Sequence, residues 1–246
     1  MPILSLPAPW HSIALLTLLG VAVLLVGSFA LGHYDSQRMG RMAKRYELVQ
    51  SCLVLTLAAV LWWGKAYGTP LDNTGALVLG GTLFGFVGDL FMGGVFGGKR
   101  ELAGIGAFAA GHVLYSLALR RFALVLGHTA SAPFLAAVGL LWGVGLAYWW
   151  AQIRGQTHSH TLERAVLLYT LLITTMTGLA LGLAVQAPTF GAWAVGGLLF
   201  CLSDGLIAQR MFVKRRFRYL GDMIWATYIA AQVLIVLSAG TAYGLA

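Results

Sequence analysis

Charged side chains are scarce in this sequence of 246 residues. Asp, Glu, Lys and Arg together account for only 10% of them, whereas hydrophobic residues account for 59%. Soluble domains carry about 25% charged residues, so the composition excludes an ordinary soluble domain and predicts a polytopic membrane protein. Acidic residues are the scarcer charged class, with 8 against 16 basic residues. An acid inside an apolar run therefore requires an explanation.

Proline is absent from the interior of the long apolar runs, because the six prolines lie at the N-terminus, between the runs or, for Pro133, at the very start of one. Transporters often build binding sites at interrupted helices, which this pattern disfavours. A transmembrane helix needs about 20 apolar residues, and eight runs meet this requirement. The predicted spans are about 12–32, 46–64, 74–92, 101–119, 132–152, 162–184, 190–209 and 219–240. The connections are short, so we predict an all-α bundle of eight transmembrane helices in a single polytopic membrane domain, residues 1–246.

Cysteine is nearly absent and gives no disulfide framework. Cys52 and Cys201 both lie in apolar runs and are expected to be packing residues. The N-terminal apolar run has no basic residues before it and is about 20 residues long, which is longer than the core of a signal peptide. We therefore interpret this run as the first span.

Basic residues are distributed unevenly among the connections. Those after odd-numbered spans hold 13 of the 16 Lys and Arg residues, and the opposite side holds Lys65, Arg120 and Arg121. Cytoplasmic connections are enriched in Lys and Arg, so both termini are predicted on the non-cytoplasmic side. The net charge of +8 is interpreted as a topology signal and not as nucleic-acid binding. The cluster "VKRRFR" at 213–218 would lie against anionic headgroups.

Two aspartates interrupt long apolar runs. Asp89 lies in "FGFVGDLFMGG" and Asp204 in "LLFCLSDGLIAQR". The predicted topology places both near the cytoplasmic ends of spans three and seven, at similar depth. A charged group at the centre of a membrane helix costs roughly 2.5–3.5 kcal/mol, and such residues usually face a bundle interior or a wet cavity. The pair is therefore the candidate site, although structurally paired or snorkelling acids are the alternative.

Spans four and eight add polar side chains to this region. His112 and Tyr115 share one face of span four, and Tyr228 and Gln232 share one face of span eight. We predict that Asp89, Asp204, His112 and Tyr228 line one cavity that opens toward the cytoplasmic leaflet.

Two further polar residues lie close to these groups in the sequence, and the spacings repeat. Ser203 precedes Asp204 directly, and Asp222 opens span eight. His112 follows Asp89 by 23 residues, and Tyr228 follows Asp204 by 24. Because spans three and four have the same orientations as spans seven and eight, the spacing suggests a parallel repeat of four plus four helices.

The residue inventory restricts the possible chemistry. A catalytic zinc site needs three protein ligands, usually His, and only His112 lies well inside a span. A three-His site is thus excluded, whereas an Asp–His–Asp site stays possible. There is no G-x-S-x-G motif, and Ser203 has no evident His partner. Two carboxylates remain, which can serve as general acid and as general base or electrostatic stabiliser.

Five sequence blocks resemble signature blocks of the YhhN, or lysoplasmalogenase-like, membrane protein family. They are "GDLFM" at 88–92, "FAAGHVLY" at 108–115, "LLYTLLITTM" at 167–176, "LFCLSDGLIA" at 199–208 and "TYIAAQVLI" at 227–235. The blocks occur in the order typical of the family through spans three to eight, and the eight-span layout is similar. At the start of span two the family tends to show Lys-Pro, whereas this sequence has Lys44 followed by Arg45.

The resemblance implies hydrolysis of the vinyl-ether bond of lysoplasmalogens (alkenyl-glycerophosphoethanolamine or -choline) to a fatty aldehyde and a glycerophospho-base. It implies that Asp89 and Asp204 are the catalytic acids. A protonated Asp can protonate the vinyl carbon, and an ionised one can stabilise the cation and activate water, as carboxylate pairs do in glycoside hydrolysis. The expected supporting or substrate-binding residues are His112, Tyr115, Ser203, Asp222, Tyr228 and Gln232.

The expected partners are a lysophospholipid substrate, water and membrane lipids, with no cofactor, no metal and no nucleic acid. We expect an integral membrane location, such as a bacterial inner or plasma membrane. Two other classes stay open: a proton-coupled small-solute transporter and a non-catalytic lipid-binding membrane protein. A transporter would also place acids in a bundle, but the other leaflet lacks the polar residues of a through-path.

Overall fold

The computed structural model describes residues 3, 5–33, 40–97, 100–156 and 159–245. Arg38 and Lys99, two of the basic residues counted above, lie outside these ranges. Within the described ranges the chain forms helices and no strand, and eight helices are long and apolar enough to cross a membrane. The prediction of eight membrane-length helices is confirmed, and these helices support a multi-pass membrane protein.

The helices begin and end close to the predicted bounds. They are α1 Trp10–Leu31, α2 Lys44–Leu61, α3 Asp72–Met92, α4 Glu101–Val125, α5 Ser131–Gln152, α6 His160–Gln186, α7 Gly191–Met211 and α8 Leu220–Ala242. A π-helical turn, Trp62–Ala66, continues α2. The end of α4 was predicted at residue 119, which is wrong, because the helix continues through Arg120 and Arg121. The Arg120 guanidinium lies 5.5 Å from the centre of the Phe134 ring, so its stem covers apolar surface while the helix continues.

Six helices form a closed ring in the order α2, α3, α4, α6, α7 and α8, with α8 packed against α2. The remaining two, α1 and α5, pack on α2 and α6. In the most apolar stretch of α8, 61% of the residues are buried, whereas in that of α5 only 11% are buried. Polar side chains on the inner faces of the ring are therefore shielded from lipid, while α1 and α5 present apolar surface to it.

The last four helices repeat the packing of the first four. The pairs α1–α2, α2–α3 and α3–α4 correspond to α5–α6, α6–α7 and α7–α8. The two halves meet where α2 packs on α8 and where α4 packs on α6. These two interfaces are also equivalent, because α2 corresponds to α6 and α8 to α4. This pattern fits the four-plus-four repeat suggested by the spacings, and it gives Asp89 and Asp204 corresponding places near the C-terminal ends of α3 and α7.

Three glycines on one face of α3 allow neighbouring side chains to touch its backbone. A Cβ atom added at any of them would lie 2.5–2.7 Å from an atom of another helix. The glycines are Gly81, Gly85 and Gly88, and the side chains against them are those of Tyr115, Gln232 and Phe108. Small residues at a membrane-helix interface permit this close approach. The stripe thus sets how near α4 and α8 come to α3.

We expect Gly85→Ala to lower the free energy of unfolding by about 1–3 kcal/mol, because the added methyl group overlaps Gln232. Gly106→Ala on α4 is the matched control, since nothing lies within 4 Å of the added atom. A residue with higher helix propensity should leave this variant unchanged or more stable by up to about 1 kcal/mol. Thermal unfolding of both proteins in detergent measures the difference. Equal midpoints for the two variants would contradict this account of the stripe.

Candidate active site

A cavity of about 390 Å³ opens at one end of the bundle, between α2, α3, α7 and α8. We call this end, where α2 and α8 begin and α3 and α7 finish, the polar end. The cavity walls contain four acidic and two basic side chains, an unusual concentration in a chain with so few charges. They are those of Glu47, Asp89, Asp204, Asp222, Lys44 and Arg210. Both aspartates of the predicted pair thus line the same cavity.

Asp89 lies on the wall of this cavity in the last turn of α3 and is only 7% exposed. Its Oδ2 atom accepts hydrogen bonds from the hydroxyl groups of Ser51 on α2 and Tyr228 on α8. The Tyr228 bond is 2.8 Å long. An ionised carboxylate can only accept hydrogen bonds, so two hydroxyl donors suit an acceptor role for Asp89. The two donors also fix its orientation relative to α2 and α8.

A chain of buried hydrogen bonds continues from Tyr228 into the bundle. Gln232 Nε2 donates to the Tyr228 hydroxyl at 3.2 Å, and the Tyr115 hydroxyl donates to Gln232 Oε1 at 2.7 Å. Thr82 Oγ1 lies 3.0 Å from the Tyr115 hydroxyl. The donors from Tyr115 onward point toward Asp89, which ends the chain as an acceptor. Tyr115 and Gln232 therefore support Asp89 through Tyr228 and do not line the cavity.

Asp204 has a different set of neighbours, on the opposite side of the cavity. The Tyr169 hydroxyl of α6 donates to its Oδ2 atom, and His112 Nε2 lies 3.0 Å from the same hydroxyl. His112 is 1% exposed and packs edge-on against Phe200. The prediction that His112 lines the cavity is wrong, because its ring points toward α6 and meets Tyr169 instead. His112 is thus connected to Asp204 through the Tyr169 hydroxyl.

Ser203 and Asp222 line the cavity but have structural partners. The Ser203 hydroxyl donates to the Ile224 carbonyl at 2.9 Å, which ties α7 to α8. Asp222 Oδ1 accepts from the backbone N–H groups of Arg41 and Met42, at 2.8 and 3.2 Å. These bonds hold the segment that precedes α2 against the start of α8. The other oxygen of Asp222, Oδ2, is buried and receives no hydrogen bond within the described part of the chain.

Five functional candidates were missed by the sequence reasoning. Ser51 and Tyr169 were missed because a single hydroxyl in an apolar span is usually a packing residue. Tyr169 lies inside the block "LLYTLLITTM", but its partners on α4 and α7 are far away in sequence. Arg210 was counted only in the topology signal, Lys44 was considered there and at the start of span two, and Glu47 lies close to a predicted span end, where an acid is ordinary.

The described side chains do not form a metal centre. No group of three or more His, Cys, Asp and Glu residues in the described ranges is placed to hold a metal ion. The Asp–His–Asp arrangement left open by the sequence does not form, because Tyr169 lies between His112 and Asp204, and Asp89 is bonded to Ser51 and Tyr228.

The chain was compared with family models, curated proteins and solved structures to find the family to which it belongs. No curated protein and no solved structure matches the chain. A family model described as the YhhN family matches residues 47–239, which include both aspartates and every residue that is hydrogen-bonded to them, but not Lys44. The match covers most of the sequence and agrees with the resemblance of the five sequence blocks. The chain belongs to the YhhN family.

Proposed function

We propose that this protein is a membrane-embedded hydrolase that cleaves the vinyl-ether bond of lysoplasmalogens and releases a fatty aldehyde and a glycerophospho-base. Membership of the YhhN family suggests a lysoplasmalogenase-like function. The observation that carries the proposal is that Asp89 and Asp204, from corresponding helices of the two halves, line a single cavity at the polar end. Two carboxyl groups beside one cavity supply the acid and the base that vinyl-ether hydrolysis requires.

The reaction proceeds in two stages. One Asp gives its proton to the vinyl carbon that bears the chain, and the ether oxygen lone pair then forms the C=O bond of an oxocarbenium ion. The second Asp takes a proton from a water molecule as the water oxygen bonds to the cationic carbon, which gives a hemiacetal. On collapse, the second Asp returns that proton to the departing glycerol oxygen, and the first Asp takes the hemiacetal hydroxyl proton. Both carboxyl groups are then restored, as in carboxylate-pair hydrolysis of glycosides.

Side chains around the cavity suit a lysophospholipid. Lys44 and Arg210 line the cavity from the first residue of α2 and the last turn of α7, where they would bind the phosphate. Lys44 begins α2, and its Nζ also donates to the Gly93 carbonyl at 3.3 Å, which holds it over the end of α3. Toward the other end of the bundle lie fully buried aromatic rings, those of Tyr115, Phe122 and Trp193. A cavity closed in this way favours a hydrolase over a transport path.

A comparison of three lysophospholipids tests the function. Purified protein should release aldehyde from the 1-alkenyl lipid and leave the 1-alkyl and 1-acyl lipids intact. The saturated ether has no double bond to protonate, and ester hydrolysis needs a nucleophile or an activated water at a carbonyl group. Mass spectrometry of the products distinguishes the three cases. Release of fatty acid from the acyl lipid, with no aldehyde from the alkenyl lipid, would replace the proposed function by an esterase.

The polar end is proposed to face the cytoplasm, because 13 of the 16 basic residues belong to the connections, or to the span ends beside them, that the sequence predicts on that side. Alkaline phosphatase fused after the last residue should then be active in a bacterial host, because that enzyme matures only outside the cytoplasm. The same reporter fused after Gly155, between α5 and α6, is the control and should be inactive. The reverse pattern of activity would place the site at the other leaflet.

A further inference from the structure

Of the grooves that adjoin the polar cavity, two share an acidic side chain with it. The first is a crevice of about 60 Å³ between α4, α6 and α7, which shares Asp204 with the cavity. The second is a groove of about 480 Å³ between α1 and α8, which shares Asp222 with the cavity. Both grooves are lined mainly by aliphatic and aromatic side chains. They differ in the acid at which they begin.

The α4–α6–α7 crevice continues the cavity directly. Besides Asp204, the two share the side chains of Met92, Phe108 and Ile207. The remaining crevice residues are apolar apart from Tyr169, whose hydroxyl is bonded to Asp204. They are Ile105, Val166, Ala208, Met211 and Phe212. Asp204 therefore lies at the boundary between the polar cavity and the apolar crevice.

The substrate has the same change of polarity at its reactive bond. In a vinyl-ether lysolipid the ether oxygen and glycerol lie on one side of the double bond, and the aliphatic chain lies on the other. A bond of this kind fits best at the acid where the polar and apolar spaces meet. Of the two grooves, only the crevice meets the cavity at one of the proposed catalytic acids, since neither Asp89 nor Asp204 lines the α1–α8 groove.

We propose, on the basis of the proposed function, that the α4–α6–α7 crevice binds the first part of the aliphatic chain of the substrate. The crevice is too small for a long chain, so the remainder extends into the lipid around α4 and α6. The flexible side chains of Met92 and Met211 allow the crevice to widen around the chain.

This orientation assigns the two acids. The carbon that accepts the proton carries the chain, so it faces Asp204. The Asp204 O–H bond breaks as its proton bonds to that carbon, and the electron pair comes from the C=C bond. The cationic carbon next to the ether oxygen then faces Asp89, which accepts a proton from the attacking water. Tyr169, held by His112, is a positioning residue that orients the Asp204 carboxyl toward the crevice.

Filling the crevice should change the dependence on chain length. In Ala208→Phe, kcat/KM for a hexadecenyl lysolipid should decrease about tenfold relative to that for a butenyl lysolipid, because the added ring occupies the chain site. Ala226→Phe places the same ring in the α1–α8 groove and is the matched control, with an unchanged ratio. An altered ratio in Ala226→Phe alone, or an unchanged ratio in both variants, would overturn the proposal.

Photo-crosslinking provides a measurement on the unmodified protein. An uncleavable 1-alkyl lysolipid with a diazirine on the chain, a few carbons from the ether, should label peptides of α4, α6 and α7. Labelling confined to α1 and α8 would overturn the chain site even if Ala208→Phe did not fold. Failure of the proposed function would look different, because wild-type protein would then release no aldehyde from either chain length.

Discussion

Replacing either aspartate by asparagine should lower the turnover of 1-alkenyl lysolipid by at least ~10²–10⁴-fold, the range for a lost general acid or base. Asparagine keeps the size and polarity of the side chain but cannot exchange the proton. Asp89→Asn retains an oxygen that can accept from Ser51 or Tyr228, and Asp204→Asn retains one for Tyr169. Both variants should therefore fold. Aldehyde release under single-turnover and steady-state conditions measures the loss.

The double variant should be scarcely worse than the more damaged single variant, because residues that act as a unit are strongly non-additive. Asp72→Asn is the matched control, since Asp72 begins α3 at the opposite end of the bundle and accepts from Trp62 Nε1 at 3.0 Å. Its turnover should be unchanged. Losses in the two single variants that simply multiply in the double variant would contradict a shared catalytic function, and near-normal activity in both would refute it.

Removing the tyrosine hydroxyl that donates to either carboxyl group should give the second largest loss of turnover. Tyr228→Phe deletes a donor to Asp89, and Tyr169→Phe deletes the donor to Asp204 together with its link to His112. A hydrogen bond to a charged group contributes about 1.5–3 kcal/mol. Asp89 is charged as the base, and Asp204 becomes charged as it gives up its proton, so each variant should lose about 10–100-fold in kcat. Steady-state kinetics of both proteins, with folding checked by thermal unfolding, measures this effect.

His112→Ala separates positioning from catalysis. If His112 only holds Tyr169, its loss should cost less than Tyr169→Phe, and His112→Ala added to Tyr169→Phe should cost little more. Tyr67→Phe is the matched control for the two Tyr→Phe variants and should leave kcat unchanged. Tyr67 is 53% exposed at the opposite end of the bundle and stacks on Trp63. A larger loss in His112→Ala than in Asp204→Asn would show that His112 carries chemistry of its own.

Much of the fold could be predicted because the membrane imposes one rule on every span. Each helix must be about 20 apolar residues long, so the runs in the sequence locate the helices closely. The end of α4 was predicted too early for the same reason, because Arg120 and Arg121 end the apolar run, whereas the helix continues to Val125. The closed ring of six helices was not predictable, because apolarity sets the length of a helix but not its neighbours.

The site was partly predictable for a related reason. An acid inside an apolar span is costly to insert, so Asp89 and Asp204 stand out, and the alternating directions of the spans place them at one depth. Ser51 and Tyr169 carry no such cost and resemble ordinary packing residues. Depth also says nothing about direction around a helix, which is why His112 was expected in the cavity and lies behind Tyr169 instead.

The most direct test of the central claim is hydrolysis of a 1-alkenyl lysophospholipid in D₂O, with the aldehyde trapped at once and analysed by mass spectrometry. Protonation at carbon by an exchangeable carboxyl group predicts one deuterium on the carbon next to the aldehyde group. Wild-type protein should produce this singly deuterated aldehyde, and the Asp89→Asn/Asp204→Asn double variant should produce almost none. Aldehyde without deuterium, or equal amounts from the wild-type and double-variant proteins, would contradict vinyl-ether hydrolysis by the two aspartates.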